Sequence, residues 1–108
     1  MDFSEVTEFE WDEGNSTKNW NRHKVTRQES EQIFFNQPLV VDDDTLHSDQ
    51  ESRYLALGRT DANRLLFVVY TLRGRQPRIR VISARDMTPH ERREYEHVRA
   101  KFAAHPKI

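Results

Sequence analysis

The chain has 108 residues, a net charge of −1 and no cysteine. This length allows one domain with a single core, and the lack of cysteine excludes a disulfide framework and a thiolate metal site. The N-terminus lacks the basic and apolar regions of a signal peptide. The longest apolar run, at residues 65–70, is far shorter than the roughly 20 residues of a membrane span. We therefore expect a cytoplasmic protein with no membrane partner.

The charge is divided unevenly along the chain. Residues 1–51 hold 4 Lys+Arg and 13 Asp+Glu, a balance of −9, whereas residues 52–108 hold 13 Lys+Arg and 5 Asp+Glu, a balance of +8. One interpretation is two faces of opposite sign, with the basic face suited to a polyanion. The other is that the two halves fold together and neutralise each other across a sheet.

The first elements follow an acidic lead-in at residues 1–8. Residues 9–11 alternate apolar and polar side chains, which indicates a short first strand. Residues 12–16 are a turn or a helix start, and residues 18–24 are a short polar helix. Thr26 and Glu29 form a capping box that opens a second helix, ending near Phe35. Its predicted inward residues are Ile33 and Phe34, with Ser30 or Phe35 beside them.

Four strands are predicted next. The first begins at residues 39–41, and the others cover residues 52–57, 64–72 and 78–85. A long polar loop occupies residues 42–51, where His47 lies among aspartates; a solvated loop is favoured there over a weak cation site. The segment 64–72 is apolar on both faces, which predicts a central strand. Thr88 and Glu91 form a second capping box, with Pro89 at the first position of a helix that runs to about residue 103.

The predicted order is β-α-α-β-β-β-β-α. It indicates an α+β fold with a mostly antiparallel sheet of four to five strands flanked by helices. We expect a single domain at residues 9–104 and a short tail at residues 105–108.

The last strand carries arginines at alternate positions. Arg78 and Arg80 should point the same way, about 7 Å apart, and Arg85 follows at the strand end. Guanidinium groups fixed in this way suit the binding of phosphate. The alternative is an exposed sheet face with solvated arginines.

No metal or cofactor site is recognisable. The chain has only 3 glycines and no glycine-rich phosphate loop, no paired carboxylates and no nucleophilic cysteine. RNA cleavage without a metal instead needs a base, an acid and cations that stabilise the phosphorane. The candidate catalytic residues are His23, Arg80, Arg85 and Tyr95, and the candidate RNA-binding residues are Trp11, Arg53 and Arg78. Residues such as Trp11 and Tyr95 are more often core aromatics, and a residue such as His23 is more often a helix cap or a hydrogen-bonded surface histidine.

Three segments together resemble the BrnT family of type II toxin–antitoxin ribonucleases. The first is Phe9-Glu10-Trp11-Asp12 with Asn19, Arg22-His23 and Val25 after it. The second is the pair of segments 53–60 and 66–71. The third is Arg-Ile-Arg-Val-Ile-Ser-Ala-Arg at 78–85, with Glu-Arg-Arg-Glu-Tyr-Glu at 91–96.

The resemblance implies a fold akin to RelE-type toxins and metal-independent RNA cleavage that blocks translation. Arg80 would stabilise the transition-state phosphate, Arg78 or Arg85 would position the backbone, His23 and Tyr95 would transfer protons, and Trp11 would contact a base. It also implies a BrnA-like antitoxin with a ribbon-helix-helix domain, which would neutralise the toxin in a hetero-oligomer and alone contact operator DNA.

The chain departs from the family pattern at three positions. Asn15 stands where a lysine is usual, Lys24 where a glycine is usual, and Gln37 where an acidic residue is usual. Loss of the lysine would remove a phosphate contact. The alternative function is therefore a catalytically weak or inactive member that binds protein or nucleic acid.

Overall fold

In a computed structural model, which describes residues 8–45 and 51–104, three helices flank one four-stranded antiparallel sheet. The predicted α+β class is confirmed. The expected tail, the loop around His47, and the lead-in apart from Glu8 lie outside the described residues. The elements are α1 Glu13–His23, α2 Arg27–Gln32, β1 Val40–Asp43, β2 Arg53–Arg59, β3 Leu65–Arg73, β4 Arg78–Asp86 and α3 Pro89–Ala104.

The strands lie in the order β1-β2-β3-β4, each antiparallel to its neighbour. β3 lies inside the sheet, as its two apolar faces predicted. The expected first strand is reduced to one parallel bridge between Phe9 and Ile79, where Glu10 N donates to Ile79 O at 2.8 Å. The pairing stops there because Asp12 already caps the following helix.

α1 begins at Glu13, five residues before the predicted polar helix. Asp12 Oδ1 accepts from Asn15 N at 3.0 Å, and Asn15 Oδ1 accepts from Asp12 N at 2.8 Å. This reciprocal capping box fixes the helix start. The helix ends at His23 because Lys24 adopts the left-handed conformation, with a φ of 55°.

α1 runs beside β4, and its side chains form hydrogen bonds with the main chain of this strand. Asn15 Nδ2 and Lys18 Nζ donate to the carbonyl oxygens of residues 81 and 82 at 2.9 and 3.3 Å. Asn19 Oδ1 accepts from the amide of residue 84 at 3.1 Å. The register skips Ile82, since Tyr70 pairs with residue 81 and Val69 with residue 83. The helix side chains therefore replace strand pairing at a bulge.

α2 has the predicted capping box between Thr26 and Glu29. It ends at Gln32 rather than near Phe35, because the chain turns there towards β1. Ile33 and Ser30 are buried, whereas Phe35 is 70% exposed. The third inward residue is thus the serine and not the phenylalanine.

The hydrophobic core lies on one face of the sheet, which we call the inner face, where Val25, Ile33 and Phe34 pack against the strands. It is formed by buried residues of the three longer strands: Ala56, Leu66, Val68, Tyr70, Ile79, Val81 and Ala84. Ile33 packs so closely on β2 that a Cβ at Gly58 would lie 2.7 Å from its Cβ, so this strand position requires glycine.

α3 begins with the predicted capping box of Thr88 and Glu91. It ends at Ala104 in the described part of the chain, and Tyr95 is its buried residue. Val98, on the same predicted face, stays 36% exposed. None of the helices within the described residues has the length and apolar character needed to cross a membrane.

Candidate functional site

The opposite side of the sheet, here called the outer face, carries all four of the predicted arginines. Arg53 and Arg80 both pair with Thr71 across β2, β3 and β4, so they share one cross-strand row. Arg85 pairs with Phe67 in a second row on the same face. Side chains alternate along a strand, so one further row of the same face lies between these two rows. It contains Val69 and its cross-strand partners Leu55 and Ser83.

Arg80 is held by two carboxylates. Its guanidinium donates to Asp12 Oδ2 at 2.7 Å and to Glu10 Oε1 at 3.2 Å, and its side chain is 18% exposed. The hydrogen bond with Asp12 raises the pKa of Arg80. The arginine is rigid and permanently charged, and its own chain already supplies anionic partners.

Glu10 lies among three arginines. Its carboxylate is 3.2, 3.3 and 3.7 Å from nitrogens of Arg80, Arg78 and Arg73 respectively. The predicted pointing of Arg78 and Arg80 to one side is confirmed by this shared partner. Glu10 was not among the predicted site residues, although the alternation of residues 9–11 places it opposite Phe9 and Trp11.

Arg85 makes a bidentate ion pair with Glu91, with N–O distances of 2.7 and 3.0 Å. Its guanidinium also lies 4.0 Å from the centre of the Phe67 ring. Hydrogen bonding from Arg85 is the main cause of the lowered pKa of Glu91. The strand end is thereby fixed to the first turn of α3, and the Arg85 cation lies against the Phe67 ring on the outer face.

A cleft of about 420 Å³ opens on the outer face between α1 and β2. Its lining is mixed, with apolar side chains from the strands and polar ones at the margin: Lys18, Asp44, Arg53, Leu55, Phe67, Val69, Ile82 and Ser83. The sequence carries no signal for Lys18, because only the packing of α1 beside β4 brings this side chain to the cleft. With the true start at Glu13, its ammonium reaches the β4 bulge.

His23 is half-buried at the C-terminal end of α1. Arg64 donates to the main-chain oxygens of His23 and Lys24 and pairs with Glu29 and Asp86. The pKa of Asp86 is lowered mainly by its hydrogen bond with Arg64, and His23 contributes to the same shift. His23 is therefore close to the Arg85 end of β4, beside a structural ion-pair network.

Tyr95 and Trp11 both serve packing. Tyr95 is fully buried, its hydroxyl donates to Pro38 O at 2.8 Å, and burial raises its pKa. Trp11 packs on the core cluster and donates from Nε1 to Glu31 at 2.8 Å. Their aromatic character serves packing here, and the site proposed below does not include them.

Asn15 does not stand at an open phosphate site. Its side chain is 7% exposed and is used by the capping box and by the bond to β4. Lys18, one turn further along α1, is exposed and reaches the cleft. A positive charge is thus present on this side of the helix despite the asparagine.

No group of three or more histidine or acidic side chains within residues 8–45 and 51–104 is arranged to hold a metal ion.

A comparison with family models matches residues 11–91, or 81 of 108 residues, to the family described as "Ribonuclease toxin, BrnT, of type II toxin-antitoxin system". A comparison with curated proteins finds no match.

Proposed function

The chain belongs to the BrnT family of ribonuclease toxins of type II toxin–antitoxin systems, and from this premise we propose that it cleaves RNA without a metal and thereby inhibits translation. The observation that carries the proposal is the outer face of the sheet. Arginine-bearing rows lie on both sides of an apolar row there, and Lys18 lies at the margin. Cations on a rigid sheet suit the phosphates of a single RNA strand.

The proposed reaction uses the RNA's own 2′-OH. The 2′-oxygen attacks the adjacent phosphorus as a base removes its proton, and the bond from phosphorus to the 5′-oxygen breaks as that oxygen gains a proton. The products are a 2′,3′-cyclic phosphate and a 5′-hydroxyl. Arg80 stabilises the phosphorane, and Arg53, Arg78 and Arg85 hold the flanking backbone. His23, the candidate for proton transfer, is the last residue of α1, whereas Asp12 beside Arg80 caps the start of this helix, roughly 16 Å away. His23 can therefore transfer a proton only at a phosphate near the Arg85 end of β4, and not at Arg80.

Cleavage is tested on an RNA substrate and on the same RNA with a 2′-O-methyl group at the cut position. The wild-type protein is expected to cleave the first in EDTA and to leave the second intact, because the methylated oxygen cannot attack. Cleavage of the methylated RNA would overturn the mechanism. So would loss of all cleavage in EDTA with recovery on adding Mg²⁺.

Arg80→Ala tests the phosphorane contact. Removing one preorganised cation should lower the cleavage rate by about 10²–10³. Arg75→Ala, in the exposed turn before β4, is the matched control and should cleave like the wild type. Because Arg80 also pairs with Asp12, circular dichroism and urea unfolding must show that the variant is folded. An unchanged rate in folded Arg80→Ala protein would remove this residue from the mechanism.

The family also implies a cognate antitoxin. We propose that it is a BrnA-like ribbon-helix-helix protein that neutralises the toxin in a cytoplasmic hetero-oligomer and alone contacts operator DNA. Co-expression should restore growth of cells arrested by the toxin. A complex that still cleaves RNA at the free toxin's rate would contradict neutralisation.

The second candidate function is a catalytically weak member of the family that binds RNA or protein. The specific observation in its favour is that Glu10 and Asp12 already pair with Arg78 and Arg80. RNA binding by the wild-type protein without cleavage of any single-stranded substrate would support this alternative.

A further inference from the structure

The outer-face cleft has an apolar floor between Lys18 of α1 and Arg53 of β2. Leu55 and Val69 are directly opposite each other on β2 and β3, and Phe67 is one row further along. All three are half-buried, whereas the inner-face residues beside them on the same strands, such as Ala56 and Val68, are fully buried. The floor is therefore a flat apolar surface in contact with solvent.

The Arg85 guanidinium lies over Phe67 and is fixed there by both oxygens of Glu91. Phe67 itself lines the cleft, and an aromatic ring in a cleft is the type of surface on which an unstacked nucleobase stacks. The bidentate contact matters, because it keeps the guanidinium plane from turning away when a ligand enters.

The margin of the cleft carries charge of both signs. Lys18 approaches from α1, with its ammonium 3.3 Å from Ile82 O, and Ser83 lies beside it. Arg53 and the buried Asp44 close the other side. A uniform polyanion groove would not include a carboxylate. A nucleotide matches this pattern, since it combines one anionic phosphate, a planar apolar ring and a polar ring edge.

We propose that this cleft binds one unstacked base of single-stranded RNA, with the adjoining phosphate at Lys18. The inference rests on the proposed function and deepens it by defining how the substrate is held. Charge complementarity and the stacking surface favour RNA over a protein segment as the occupant. The Lys18 contact also makes α1 a part of the substrate site, in addition to its structural role along β4.

The test measures binding and not cleavage. The probes are fluorescent 2′-O-methyl hexanucleotides of adenylate and uridylate, which cannot react through the 2′-OH, and the same probes with one abasic residue at each position in turn. For wild-type protein, one abasic position should weaken binding about tenfold, because stacking on a protein surface contributes that order of affinity. In Phe67→Ala, the same abasic position should make no difference.

Lys18→Ala should weaken binding of all the probes and reduce the slope of log K against log salt by about 0.7, the value for one phosphate contact on a single strand. Lys101→Ala, an exposed lysine on α3, is the matched control and should behave as wild type. Urea unfolding is measured for each variant, and Phe67→Leu replaces Phe67→Ala if the latter is unfolded.

The outcomes separate this inference from the proposed function. Binding with the expected abasic effect but no cleavage of RNA would support the cleft and overturn the nuclease. RNA cleavage with no effect of the Lys18 and Phe67 substitutions on binding would support the nuclease and overturn the proposed base-binding cleft. Failure of the wild-type protein to bind either probe would overturn the proposed base-binding cleft. So would Lys18 and Phe67 variants that bind RNA like the wild type but no longer bind the antitoxin.

Discussion

Arg80 and Glu10 are 70 positions apart in the chain and meet because Glu10 N donates a backbone hydrogen bond to Ile79 O in β4. Glu10 brings one carboxylate to three arginines, and Asp12 adds a second to Arg80. A carboxylate and a phosphate oxygen make similar contacts with guanidinium. Glu10 therefore competes with any phosphate that approaches this cluster.

Replacing Glu10 by Gln should increase the affinity for a non-cleavable 2′-O-methyl RNA. The expected increase is about two- to fivefold, which corresponds to the roughly 0.5–1 kcal/mol of a surface charge contact. Glu94→Gln changes net charge equally but lies on α3, where Glu94 pairs with His90. Equal affinities of the two variants in a binding titration would show that Glu10 does not compete.

At the scale of elements, α1 and β4 depend on each other. β4 pairs with β3 on one side, while on the other it receives the bridge from Phe9 and the side chains of α1. Since a bulge interrupts the regular pattern at Ile82, a neighbouring strand would not fit as well as the amide side chains do. The same contacts orient Lys18 at the cleft.

Asn19→Ala should destabilise the protein. The side chain is 2% exposed, and its loss leaves the amide of Ala84 buried without a partner, at a cost of about 1–3 kcal/mol. The matched control is Asn21→Ala, an exposed position on the same helix, which should change the free energy of unfolding by less than about 0.5 kcal/mol. Urea unfolding of both variants measures the difference, and equal values would contradict the role of Asn19.

At the scale of the whole molecule, the acidic and basic halves meet. Six ion pairs among the described residues join an acid of residues 1–51 to an arginine of residues 52–108. This favours the interpretation of mutual neutralisation over that of two separate faces. The outer face is basic because of where its arginines lie, and not because these arginines lack acidic partners.

The ion pairs predict acid lability. Arg64 lowers the pKa of Asp86 from 3.8, and Arg85 lowers that of Glu91 from 4.5. A carboxyl whose folded pKa is lowered stabilises the fold above its unfolded pKa, and this stabilisation is lost as the pH falls through the folded pKa. The free energy of unfolding should therefore decrease as the pH falls below roughly 4.5.

Asp86→Asn should make this decrease less steep, because it removes one of the protons taken up on acid unfolding. Asp42→Asn, at an exposed position of β1, is the control for loss of a carboxyl outside the Arg64 network. Urea titrations between about pH 3 and 6 measure the slope. A slope in Asp86→Asn that equals the slope of the control would show that the Arg64 pair does not link pH to stability.

The sequence by itself determined the elements whose signals are local. Both Thr-x-x-Glu capping boxes, the central position of β3 and the common side of Arg78 and Arg80 follow from neighbouring residues, and each is confirmed. The family could also be recognised, because its motifs are short segments in a fixed order. The outer-face arginines of the proposed site lie on two of these segments, residues 53–60 and 78–85.

Only the tertiary structure decided which charges meet and which aromatics are buried. Glu10 reaches Arg80 through a bridge between residues 70 positions apart, and Tyr95 finds Pro38 O across the core. Spacing along the chain carries no information on such distant contacts, since burial and pairing depend on how the elements pack. For the same reason, only the packing of α1 against β4 makes Lys18 part of the site.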